Sequence, residues 1–136
     1  MILPPKKRIG SNKKITILEG LEDALTLRGV FVQNTFLITC QKNGFDHAEA
    51  FLESDNYSEC LIIADHDLDE DAVQTSQSKA FRLGRRCMSK CTKVDVKMPS
   101  EPKFDANDAL MKSKLDDWIS ALIPIPKRFQ IEDPQC

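Results

Sequence analysis

Residues 60–71 read CLIIADHDLDED, and this stretch decides the fold class. Its first half is an unbroken apolar run, the pattern of a strand buried on both faces, and it stops at Asp65. Its second half holds five acids: Asp65, Asp67, Asp69, Glu70 and Asp71. In open α/β sheets, ligands gather in the crevice outside the carboxyl ends of the strands, and that is where this acidic loop falls. An Asp-x-Asp in extended backbone turns both carboxylates to the same side. Oxygen-only donors at such a place suit a hard divalent cation, magnesium or manganese, which keeps several waters and needs few protein ligands.

Working outward, ITIL (15–18) is a β-branched run ending at Glu19-Gly20. LEDALTLRG follows with helical spacing and a glycine stop at Gly29. VFVQNTFLITC (30–40) holds one or two short strands, and FDHAEAFL (45–52) reads as an amphipathic helix. Residues 71–89 read as one long helix with Ala72, Val73, Ala80, Leu83 and Cys87 inside. TKVDVKM (92–98) is a further strand. A final helix, capped by Asp105 or Asn107, runs through Leu110, Leu115, Trp118 and Leu122, with Trp118 in the core. The alternation of strands and helices predicts an α/β fold, a mostly parallel four-stranded sheet flanked by helices on both faces. The expected divisions are a basic lead-in or linker (1–14), one domain (15–122) and a Pro-rich tail (123–136).

The net charge of −2 hides strong local fields. Residues 6–14 carry five cations and no acid. On the helix after the acidic loop, Lys79, Arg82 and Arg86 share a stripe with Arg85 beside it. That stripe is either a solvated face or a surface that tracks the phosphates of DNA or RNA. No apolar run approaches the ~18–20 residues that span a bilayer, so no membrane role is expected and the reading is cytoplasmic. Five cysteines lack disulfide-scaffold spacing, and Cys87-x-x-x-Cys91 has no second half for a zinc site; reduced, mostly buried thiols are expected.

Three acidic groups fall at strand ends: Glu19, then Asp65 with Asp67, then Asp105 with Asn107 and Asp108. The last also suits a helix N-cap. A phosphoacceptor receiver domain would place its paired acids after the first strand, whereas here a single acid comes first.

Three strings carry a family resemblance over roughly residues 15–111. ILEGLEDALTL (17–27) resembles the first motif of Toprim domains, and its E-G-x-x-D-A resembles the version in bacterial-type primases and phage or plasmid primase-helicases. LIIADHDLDEDA (61–72) resembles the second Toprim motif, and PSEPKFDANDAL (99–110) resembles the K-D-x-N-D-x-L stretch of the same primases. The resemblance implies a Toprim-like (Rossmann-like) fold and a magnesium-dependent nucleotidyl or phosphoryl transfer in DNA replication. It implies Glu19 as the acid/base or metal-linked glutamate, Asp65 and Asp67 as metal ligands, and Asp23, Asp105 and Asp108 as extensions of the acidic crevice. It implies a tight turn at Gly20. Implied partners are DNA or RNA, nucleoside triphosphates, and a helicase or upstream zinc-binding primase module. The sequence departs from the primase pattern at Asp69-Glu70, where those proteins carry Ala-Gly. A Toprim nuclease and a catalytically degenerate module that binds nucleic acid or a replication partner are the alternatives.

Overall fold

The computed structural model describes residues 1–8, 10, 13–53, 56–68 and 70–132. Its centre is four parallel strands: β2 (Lys14–Leu18), β3 (Asn34–Ile38), β4 (Glu59–Ile63) and β5 (Lys93–Met98). Two short strands, β1 (Ile2–Leu3) and β6 (Ile123–Pro124), add to the edges. The sheet order is β1-β3-β2-β4-β5-β6, with β1 antiparallel to β3 and β6 antiparallel to β5.

This corrects the expected four-stranded, mostly parallel, Rossmann-like sheet: it has six strands in mixed orientation. The two extra strands have two residues each, too short for a period-2 pattern, and prolines surround them (Pro4, Pro5, Pro124, Pro126). A proline lacks the amide donor but is tolerated on an edge strand, and Pro124 sits on one.

Alternation along the strands separates two cores. Ile15, Ile17, Leu37, Cys60 and Ile62 face one side, where they pack against Phe45, Leu52 and α3 (Ser76–Cys87) through Ala80, Leu83 and Cys87. Leu18, Phe36, Ile38 and Ile63 face the other, against α1 (Leu21–Arg28), α4 (Ala106–Met111) and α5 (Leu115–Ser120), with Trp118 among them. On the first side α3 comes so close to β5 that a Cβ on Gly84 would lie 2.3 Å from Val96 Cγ2.

Local chemistry moved several helix boundaries. The expected helix over 71–89 is a 3-10 turn (Ala72–Gln74) followed by α3. Thr75, in extended backbone, accepts the Ser78 amide at 3.0 Å and caps α3 there. The 45–52 helix divides into a 3-10 stretch (Lys42–His47) and α2 (Glu49–Glu53). The last expected helix breaks into α4 and α5 at Ser113, whose φ of 57° is left-handed. No helix among the described residues is long and apolar enough to cross a membrane.

Candidate functional site

Because β2 and β4 are parallel neighbours, their carboxyl ends lie side by side, and Glu19 and Asp65 leave them together. Both line a cavity of about 560 Å³, with Asp23 from α1, Asp67 from the β4 loop and Asp105 from the turn before α4. The remaining wall includes His66, Pro99, Phe104, Cys40 and, as the one cation among the described residues that line it, Lys103.

Ser76, at the start of α3, ties the acids together. Its hydroxyl donates to Glu19 Oε1 and accepts the Asp65 amide at 3.2 Å, while its own amide donates to Asp67 Oδ2 at 2.8 Å. A carboxylate at the first turn of a helix is favoured by the free amides and the positive end of the helix dipole. Gln77 Nε2 donates to the Asp67 carbonyl at 3.3 Å. Glu19 is also held from behind, its carbonyl accepting the Cys40 amide at 2.9 Å. Cys40 pays for that position with a left-handed φ of 69°.

Crowding of like charges in a partly buried place shifts the acids. Burial, then the neighbouring Glu19 charge and a hydrogen bond between the two carboxyls, raises Asp65 to about 7. Burial raises Glu19 above the usual carboxylate range, partly offset by its hydrogen bonds to Ser76 and Asp65. These two therefore titrate as a pair sharing a proton. Asp23 is raised to about 6 by burial and the surrounding Asp105, Asp65 and Asp108 charges, against the Asn107 amide that it accepts at 3.1 Å. Asp65 is packed among protein atoms yet exposed at the cavity mouth, so solvent moderates its desolvation.

Five of the six acids singled out in the sequence thus meet in one place: Glu19, Asp23, Asp65, Asp67 and Asp105. Asp108 does not line the cavity. It closes a capping box with Asp105, whose Oδ1 accepts the Asp108 amide at 2.8 Å while Asp108 Oδ2 accepts the Asp105 amide at 3.3 Å. Glu19 and Gly20 alone join β2 to α1, so the strand-to-helix turn is tight as expected, but Gly20 has an extended φ of −95° that is open to any residue. Asp69 and Cys136 lie outside the described residues.

The basic stripe on α3 faces inward. Lys79 and Arg82 are 7% and 6% exposed. Lys79 pairs with Asp46 at 2.9 Å, and Arg82 donates to the Val73 carbonyl at 3.2 Å. Arg86 pairs with Glu49 at 3.1 Å, and Arg85, half-exposed, reaches Glu132 at 3.5 Å. Lys79 and Arg86 bind the 42–53 segment to α3, Arg85 binds the C-terminal segment, and Arg82 holds the 3-10 turn before α3.

Sequence reasoning missed Ser76, His66, Cys40 and Lys103. Thr75-Ser76-Gln77-Ser78 carried a usable signal, since Ser and Thr before an amphipathic stretch mark a helix start that here abuts Asp67. His66 Nδ1 lies 2.9 Å from the Pro99 carbonyl; a carbonyl only accepts, so that nitrogen carries the proton.

Among the described residues no three His, Cys, Asp or Glu side chains close on a common point as a finished metal cage. The carboxylates line a wall instead. That donor set is oxygen-rich and has a surplus of negative charge, which fits a hard, largely hydrated cation bound by one or two carboxylates rather than zinc. Comparison with family models, with curated proteins and with solved structures finds no match.

Proposed function

We propose that this chain is a magnesium-dependent, Toprim-type phosphoryl-transfer domain acting on nucleotide or nucleic-acid phosphates, nearest in kind to primase domains of DNA replication. The observation that supports it is the shared cavity at the ends of β2 and β4, where Glu19, Asp65 and Asp67 meet and Ser76 contacts all three. In this reading the chain works in the cytoplasm, with DNA or RNA and nucleoside triphosphates as its partners.

One or two of Glu19, Asp65 and Asp67 would hold a largely hydrated magnesium or manganese, with the remaining acids, Asp23 and Asp105 among them, widening the negative wall. A bound ion supplies charge neutralisation at a phosphoryl oxygen and its leaving oxygen. Ser76 orients Glu19 and Asp67, so neither carboxylate has to be ordered at the moment of binding. The Glu19–Asp65 pair holds a proton in the cation-free state and gives it up when positive charge enters the cavity. The half-buried Phe104, its carbonyl fastened by Trp118 Nε1 at 2.7 Å, offers a flat wall beside the acids.

The test is calorimetric titration of manganese and magnesium into the wild type and the Asp65→Ala/Asp67→Ala double variant. Binding in the first and none in the second supports the reading, and assays of primer synthesis and strand cleavage then separate polymerase from nuclease chemistry. A wild type that binds neither ion at millimolar concentration overturns it and leaves a non-catalytic binding module.

A further inference from the structure

The acidic cavity does not end at Asp67. The same residue lines a second cavity of about 460 Å³, bounded by Leu68, Glu70 and Ala72 and, from the C-terminal segment, Arg128 and Phe129. Asp67 is therefore a partition, with the carboxylate wall on one side and a guanidinium on the other.

Arg128 is exposed, but its surroundings are fixed. Its guanidinium lies 4.6 Å from the centroid of the Phe129 ring, which is itself buried in the α3-side core. The backbone beneath forms a 3-10 turn, closed by Phe129 N–H to the Pro126 carbonyl at 2.9 Å and Gln130 N–H to Lys127 at 3.0 Å. Among the described residues no carboxylate forms an ion pair with Arg128, whereas Arg85 and Arg86 both have one.

We propose that Arg128 binds the phosphate next to the one held at the carboxylate wall, so that a chain of phosphates crosses over Asp67. This rests on the metal-dependent reading above. A planar guanidinium held on a ring offers paired N–H donors in a fixed orientation, the geometry that phosphate oxygens accept. Glu70 lines the same cavity and opposes any lone anion, so the seat works only when a divalent cation offsets the Asp67 and Glu70 charges. The ligand class is two or more linked phosphate groups with a divalent cation. A nucleoside triphosphate and a single-stranded oligonucleotide share that chemistry.

Titrations of manganese alone, manganese with ATP, manganese with a short oligonucleotide, and ATP without metal test it, on wild type and on Arg128→Ala and Arg128→Lys. The expected result is unchanged manganese affinity in every variant and a loss of about tenfold in manganese–ATP or manganese–oligonucleotide affinity in Arg128→Ala. Arg128→Lys recovers part of it. A loss confined to ATP assigns the seat to a nucleotide polyphosphate, one confined to the oligonucleotide assigns it to a strand, and loss in both shows a common seat. Manganese binding with unaltered ATP and oligonucleotide affinity in Arg128→Ala overturns the role of Arg128 while leaving the metal site intact. Absence of manganese binding in the wild type overturns both. Tight ATP binding without metal also overturns the coupling.

Discussion

Removing divalent cation should make this protein less stable as the solution becomes more alkaline, and the effect should shrink in Asp23→Asn/Asp65→Asn, where Glu19 is the one raised acid of the three that remains. Asp23 is raised from 3.8 to about 6 and Asp65 from 3.8 to about 7, so the folded chain holds protons that the unfolded chain releases. A carboxyl raised in this way contributes stability that is fully present below 3.8 and is lost as the pH climbs through 6 and 7. Both side chains reach solvent, so screening reduces the combined loss between about pH 5 and pH 8 to about 2 kcal/mol. For a chain of this size that is a fall of about 8 °C in Tm. The assay is thermal unfolding in chelator across that interval, followed by circular dichroism, on wild type and double variant side by side. The difference between the two curves separates these carboxyls, with the Glu19 titration coupled to Asp65, from the rest of the chain. A wild-type Tm that is flat or rises from pH 5 to pH 8, or an equal fall in the double variant, would refute the argument that burial, reinforced by neighbouring like charges, raises Asp23 and Asp65. Millimolar magnesium at the alkaline end should restore most of the lost Tm to the wild type and little to the variant.

Three other outcomes follow from the packing and the hydrogen bonds. Gly84→Ala should cost about 1–3 kcal/mol in denaturant unfolding, because its Cβ would lie 2.3 Å from Val96 Cγ2 on a β-branched side chain with little room to turn. Asp108→Ala should cost about 1 kcal/mol through the lost return bond of the α4 capping box, the Asp105 cap itself remaining, while leaving manganese affinity unchanged, which calorimetry on the same sample checks. Lys79→Met should change oligonucleotide affinity by less than about twofold, since the residue is 7% exposed and its ammonium is bonded to Asp46; a large loss in a filter-binding assay would show that α3 meets nucleic acid directly.

The inner strands were legible because burial on both faces leaves continuous apolar runs, and ITIL and CLIIA need no partner to be read that way. The gathering of Glu19, Asp65 and Asp67 was legible for a related reason: parallel neighbouring strands bring their carboxyl ends together. The edge strands were not, because Ile2–Leu3 and Ile123–Pro124 owe their conformation to β3 and β5 rather than to any local pattern. The α3 stripe was misjudged as an outer face because helical spacing places charges on one side without saying what covers it. Asp46 and Glu49 arrive from a segment over thirty residues earlier. Ser76 was missed because its importance comes from where α3 starts, and that is set by the Thr75 cap rather than by apolar spacing. Asp108 illustrates the opposite ambiguity, since a carboxylate three residues after an Asp reads equally as ligand or as cap, and the Asp105 backbone amide took it.

The short strands at either flank have a consequence for how the molecule meets others of its kind. A parallel sheet whose outermost strands ended in open ladders would offer two templates for adding strands from another chain. Here β1 occupies β3 opposite Phe36 and Leu37, and β6 occupies β5 opposite Lys97 and Met98, with a proline that cannot donate onward. Growth by strand addition is therefore interrupted at both margins, and at high concentration the folded protein should resist fibril-like assembly for as long as these few residues stay docked.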